Sequence, residues 1–144
     1  MQSVKIKLSK ARLNAEEQIA SYLESQGYKI NYRFNILGKS GINHTFDMLA
    51  QRDDGLTLRT IAICFLDGSD NNIQTSTIFD FANKTYDAGI SEKVIVAIPD
   101  LNPENNEIAE KQRIKVLDEA KLNAMVARSA KLSPRLGKPL NLSS

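Results

Sequence analysis

Asp47 lies inside Asn43-His44-Thr45-Phe46-Asp47-Met48-Leu49-Ala50, a segment of strand character. A strand carboxylate is a hard oxygen donor of the kind Mg²⁺ takes, yet one alone is too little to hold Mg²⁺ against its hydration shell. Other residues with chemical capacity are few. His44 is the only histidine, which gives little support to a His-based metal centre or a Ser-His-Asp arrangement. Cys64 is the only cysteine, set in the apolar run Thr60-Ile61-Ala62-Ile63-Cys64-Phe65, where a thiol reads as inert core and has no partner for an internal disulfide. Gly38-Lys39-Ser40-Gly41 lacks the G-x-x-x-x-G-K-[ST] spacing of a phosphate loop and leads into a strand rather than a helix. Nucleotide binding is rejected there, and Lys39 stays a candidate contact for a backbone phosphate.

The elements that must position these residues follow from periodicity. A helix is predicted from Asn14 to Gln26, with Asn14 as N-cap, Ala15, Ile19, Tyr22 and Leu23 on one face, and Gly27 as its terminator. Tyr28, Ile30, Tyr32, Phe34 and Ile36 alternate with Lys29, Asn31, Arg33 and Asn35, which reads as a half-buried strand. Strands over 43–51 and 58–66 flank the turn Asp53-Asp54-Gly55, making three antiparallel neighbours. After a polar break at 67–72, Ile73, Phe81, Ala82 and Thr85 mark the inner face of a helix ending near Gly89. Val94-Ile95-Val96-Ala97-Ile98 is an unbroken apolar run stopped by Pro99, the pattern of a central strand covered on both faces. A short helix at 103–111, a strand at 113–117 and a last helix from Glu119 to about Ala130 complete the pattern, and Pro134, Gly137 and Pro139 predict a loose end. The order αβββαβαβα predicts an α/β fold with a mixed sheet of about five strands flanked by helices, the third and fourth strands being parallel.

A chain of 144 residues fits one domain, expected over 1–130 with a basic tail over 131–144. Hydrophobic content of 42% and charged content of 25% are those of a globular domain. No apolar run approaches the roughly 20 residues of a membrane span. Met1-Gln2-Ser3-Val4-Lys5 lacks the apolar core of a secretory signal. With a single cysteine, these features make the cytoplasm the expected location and exclude a membrane role. A net charge of +2 is too small to argue for nucleic acid, but its placement is uneven. Lys5, Lys7, Lys10 and Arg12 precede the first acid, Glu16, and after Glu119 come Lys121, Arg128, Lys131, Arg135 and Lys138 with no acid. Such ends either neutralise phosphates or are simply solvated.

Gln26-Gly27-Tyr28 at a helix end, the stretch Gly41 to Asp47, and Asp87-Ala88-Gly89 followed by the strand from Lys93 resemble the restriction-endonuclease-like superfamily, and within it the Mrr-like group, over roughly 16–117. The resemblance implies a three-layer restriction-endonuclease-like fold in which the strand Asp and an acid-x-Lys pair on the next strand hold a divalent ion and orient water. Asp47 matches the first position. The second acid and the lysine correspond to Ala62 and Cys64, which can do neither job. Residues that could have migrated into the site are Glu16 or Glu17, Asp67 and Lys84. The expected function is therefore a degenerate nuclease-fold protein that binds DNA or a protein partner. Lys39, His44, Lys131, Arg135 and Lys138 are its candidate DNA contacts, and a homodimer is expected. No cofactor is expected for that form. The alternatives are an active Mg²⁺-dependent endonuclease with a relocated site, and an assembly module with no nucleic-acid role.

Overall fold

The stretch between Val4 and Arg12 contains no glycine or proline, and most of its residues are good helix formers. In the computed structural model, which describes residues 2–68 and 71–129, with side chains at 10–68 and 74–129, helix α1 accordingly runs Gln2–Ser25. Asn14 is thus an exposed interior position and not the predicted N-cap. An asparagine costs a helix interior only about 0.7 kcal/mol relative to alanine, too little to interrupt a run that favours helix on both sides. The predicted terminator is present. Gly27 takes φ +92°, its N–H donates to Glu24 O at 3.0 Å, and the Tyr28 N–H reaches back to Leu23 O at 3.0 Å. That double bond satisfies the last carbonyls of α1, and Tyr28 packs in the same apolar cluster as Leu23.

Five strands follow in sheet order β1 (Lys29–Leu37), β2 (Asn43–Asp53), β3 (Leu58–Asp67), β4 (Glu92–Ile98) and β5 (Lys115–Asp118). The first three are antiparallel, and β3, β4 and β5 are parallel, as their connections require. Helices α2 (Asn71–Ala88) and α3 (Pro103–Lys111) supply those connections, and a helix α4 follows over 119–129. Ile95, Val96 and Ala97 of β4 are fully buried, as an unbroken apolar run demands. The middle strand is nevertheless β3, with β4 one place toward the β5 edge.

Two apolar layers sandwich the sheet. Ala15, Ile19 and Leu23 of α1 and Leu122 of α4 pack on one face, against Met48, Ile63, Phe65 and Val96. Ile78, Phe81 and Ala82 of α2 and Ala109 of α3 pack on the other, against Phe46, Ala62, Cys64 and Leu66. Strand β3 alternates strictly between the layers, so Ile63 and Phe65 face α1 while Ala62, Cys64 and Leu66 face α2. The architecture is the three-layer α/β fold expected from the element order. Strand β1 is the sheet edge, and it departs from the half-buried reading in its middle: Tyr32 and Phe34 are exposed, while Ile30 and Ile36 pack against the two apolar layers.

Candidate functional site

Strand β2 changes face at Asp47. Phe46 packs toward α2 and Met48 toward α1, although residues two apart on a regular strand share a face. The partner strand departs from regular geometry at the same level. Arg33 holds φ +46°, and the β1–β2 ladder pairs Tyr32 with Met48 and Phe34 with Phe46 while stepping over Arg33 and Asp47. The β2–β3 ladder begins only at Met48 and Ile63, so the two strands part on the Asp47 side of that pair. The Asp47 carboxylate fills the gap: its Oδ2 accepts the Phe65 N–H at 2.9 Å, a backbone donor that the interrupted ladder leaves to it.

The other Asp47 oxygen meets α1. Arg12 Nη2 lies 2.8 Å from Asp47 Oδ1, and Arg12 Nε donates to Glu16 Oε2 at 2.9 Å. One guanidinium therefore bridges two carboxylates and also lies over the Phe65 ring, 5.8 Å from its centroid. Glu16 is 3% exposed, whereas the Arg12 and Asp47 side chains are about one third exposed. Burial works to lower the Arg12 pKa, and the hydrogen bonds and charges of Glu16 and Asp47 outweigh it, so the guanidinium is held above its ordinary value. The positive charge of this cluster is permanent.

The predicted site residues are distributed as follows. Glu16 joins Asp47 through Arg12, while Glu17 is exposed on α1. Asp67 is exposed at the end of β3, in register with Ile98 of β4. Lys84 belongs to the α2 side: its ammonium donates to Thr45 O at 2.8 Å and lies 5.3 Å from the Phe46 ring centre. Ala62 and Cys64 face the α2 layer, away from the Arg12 bridge, so their expected correspondence with the acid-x-Lys pair is corrected. The residues of β3 that share the face of Arg12 and Glu16 are Ile63 and Phe65. Burial first, and the nearby Asp47 charge second, push the Cys64 thiol up to about 12, which makes it inert at neutral pH. Lys131, Arg135, Lys138 and the predicted loose end lie outside the described residues.

A second polar cluster pins the loop between β1 and β2. Asp87, in the last turn of α2, accepts the Ser40 N–H on Oδ1 at 3.0 Å and the Ser40 hydroxyl on Oδ2 at 2.6 Å. His44 Nε2 lies 2.7 Å from the same Oδ2, and the Lys39 N–H donates to Asp87 O at 2.9 Å. The Ser40 hydroxyl donates to Asp87 and not to the imidazole, so this trio is an anchor rather than a nucleophile with its base. A Cβ at Gly38 would fall 1.9 Å from Asp87 Oδ2, so a side chain there would displace the anchoring carboxylate. The Ser40 hydroxyl bond, then His44, hold the Asp87 carboxyl down at about 2.

Sequence reasoning missed Arg12 and Asp87 as site residues. The Arg12 and Glu16 spacing of four on a helix was a readable signal for their pairing. Asp87 reaches Ser40 across 47 residues of chain, and no local pattern announces it.

The three layers, the antiparallel β1–β3 unit followed by a parallel β3–β4 crossover, and an acid on the second strand facing the first helix define a restriction-endonuclease-like fold. The family model Mrr_cat, described as restriction endonuclease, matches residues 11–126. The chain belongs to that family. A crystal structure of AF1548, described as a protein of unknown function, matches it with a TM-score of 0.56 at 16% identity, covering 72% of this chain and 60% of that one. That likeness shows the fold, and the chain spans about three fifths of that protein's length. No curated protein matches the sequence.

The family implies a divalent cation beside the strand acid, and the described residues around Asp47 do not fit one. Hard cations take six or more oxygen ligands, from protein and water together. Here the two nearest carboxylates are both engaged by one guanidinium, and Ile63 and Phe65 offer hydrocarbon. Among the described residues no three His, Cys, Asp or Glu side chains are placed to share an ion.

Proposed function

We propose that this chain is a nuclease-fold protein that binds DNA without cleaving it. The observation that carries the reading is the Arg12 guanidinium set between Glu16 and Asp47, the position at which cleavage would need a metal and a water. A fixed organic cation supplies the charge balance of a metal ion but neither open coordination positions nor an acidified water. Ile63 and Phe65 add no lysine to that face, where the charge-stabilising group of a cleaving site would stand. Membership of the restriction-endonuclease family supports DNA as the partner.

The test is a gel shift and a plasmid-nicking assay on one preparation, in EDTA, Mg²⁺ and Mn²⁺. Retarded DNA of equal affinity in all three buffers, with no nicked product, is the expected result. Metal-stimulated nicking that vanishes in Asp47→Ala would falsify the non-cleaving reading, and no retardation in any buffer would remove DNA.

An assembly role has its own support in the β2–β3 hairpin tip, where Leu56 and Leu58 are exposed. Homodimerisation through that tip would appear as a doubled mass in light scattering that Leu56→Ser and Leu58→Ser together abolish.

A further inference from the structure

Tyr86 is 83% exposed, the most open aromatic side chain among the described residues, and it lies in the last turn of α2 beside a loop that is unusually well fastened. Loops that carry functional side chains benefit from a rigid mount, since a contact made by a mobile loop loses the entropy of ordering it. The segment 38–42 has such a mount. Asp87 holds it by the Ser40 amide, the Ser40 hydroxyl and His44, Gly38 gives way to that carboxylate, and the Gly38 N–H donates to Ile42 O at 2.8 Å. The fastening leaves Lys39 aimed outward, with its ammonium 6.0 Å from the Tyr86 ring centre. The nearest acid to the loop is Asp87, whose oxygens are occupied by the anchor.

An exposed ring beside an outward lysine on a rigid mount has the chemistry of a stacking platform with a phosphate contact. A duplex hides the faces of its bases, so a lone protruding ring gains stacking energy only from an unpaired base. We propose that the fastened loop and the last turn of α2 form a contact for single-stranded nucleic acid, with Tyr86 stacking on an unpaired base and Lys39 meeting its phosphate. This rests on the DNA-binding reading and names the form of nucleic acid taken.

The test is fluorescence anisotropy of the full chain with a labelled oligothymidylate, the same sequence as a duplex, and a duplex with a single-stranded overhang. Wild type binds the single strand and the overhang more tightly than the duplex. Tyr86→Ala weakens single-strand binding about fivefold or more and leaves duplex binding unchanged, while Tyr86→Phe keeps wild-type affinity. Lys39→Ala reduces the slope of log affinity against log salt by about 0.7 on the single strand. Tyr86 is too exposed for these changes to threaten the fold. Wild type that prefers duplex, or Tyr86→Ala that binds the single strand as well as wild type does, overturns this inference and leaves the DNA-binding reading standing. Failure of wild type to bind any of the three overturns both.

Discussion

Removing one member of the Arg12 bridge does not cost the same as removing another. Asp47→Ala leaves the Phe65 N–H without its acceptor, a loss of roughly 1.5–3 kcal/mol for a bond to a charged group. The Arg12–Asp47 pairing adds about 1 kcal/mol at most, since both side chains are about one third exposed and screened by water. Arg12→Met instead strands Glu16, whose side chain is 4% exposed, and an uncompensated buried charge costs about 3 kcal/mol or more. Urea unfolding should therefore rank Arg12→Met as more damaging than Asp47→Ala, with Arg12→Met/Glu16→Gln recovering part of the loss. The reverse ranking would mean that Glu16 has another way to be neutralised. A separate prediction concerns Asp87. Its carboxyl is lowered in the folded protein from an ordinary 3.8 to about 2, so its stabilising contribution is complete above the ordinary value and lost as pH falls through about 2. The Ser40 amide resonance should show an acid transition with its midpoint near pH 2, and in Asp87→Asn that transition should be absent.

At the scale of elements, the aim of a side chain was harder to foresee than the existence of its strand. The boundaries of α3 were legible because Pro103 can open a helix and Asn102 caps it, its side chain accepting the Asn105 N–H at 2.7 Å. The β2–β3 hairpin was legible in Asp53-Asp54-Gly55, where the Gly55 N–H donates to Asp53 Oδ1 at 2.8 Å. The change of face at Asp47 was not: it coincides with a positive φ at Arg33 across the ladder, and an arginine announces no such conformation. The family resemblance put the acid-x-Lys positions at Ala62 and Cys64. In the fold they belong to the other layer, and this has a direct test. Ala62→Glu with Cys64→Lys should insert two charges into the α2 layer and lower the melting temperature with no recovery in Mn²⁺. Ile63→Glu with Phe65→Lys, made together with Arg12→Ala, is also destabilising but should regain part of the loss in Mn²⁺, since that acid would join Asp47 and Glu16. Equal indifference of the two variants to Mn²⁺ would show that the α1 face holds no latent cation geometry.

For the whole molecule, the decisive question is how the phosphate-binding basic residues divide between the described layers and positions 130–144. Helix α4 is part of the fold: Leu122 is fully buried against the α1 layer, and Met125 and Val126 pack beside it. Truncation after Leu117 therefore removes core, since burying one leucine contributes about 1.5–3 kcal/mol, and that variant should melt well below wild type. Truncation after Ser129 spares every described apolar neighbour of α4 while deleting Lys131, Arg135 and Lys138. If those three residues neutralise phosphates on duplex DNA, the salt slope of binding should flatten by up to about 0.9 for each phosphate no longer neutralised, with the melting temperature unchanged. An unchanged slope in the Ser129 truncation would assign phosphate binding to residues before it, where Lys39 stands beside the Tyr86 ring.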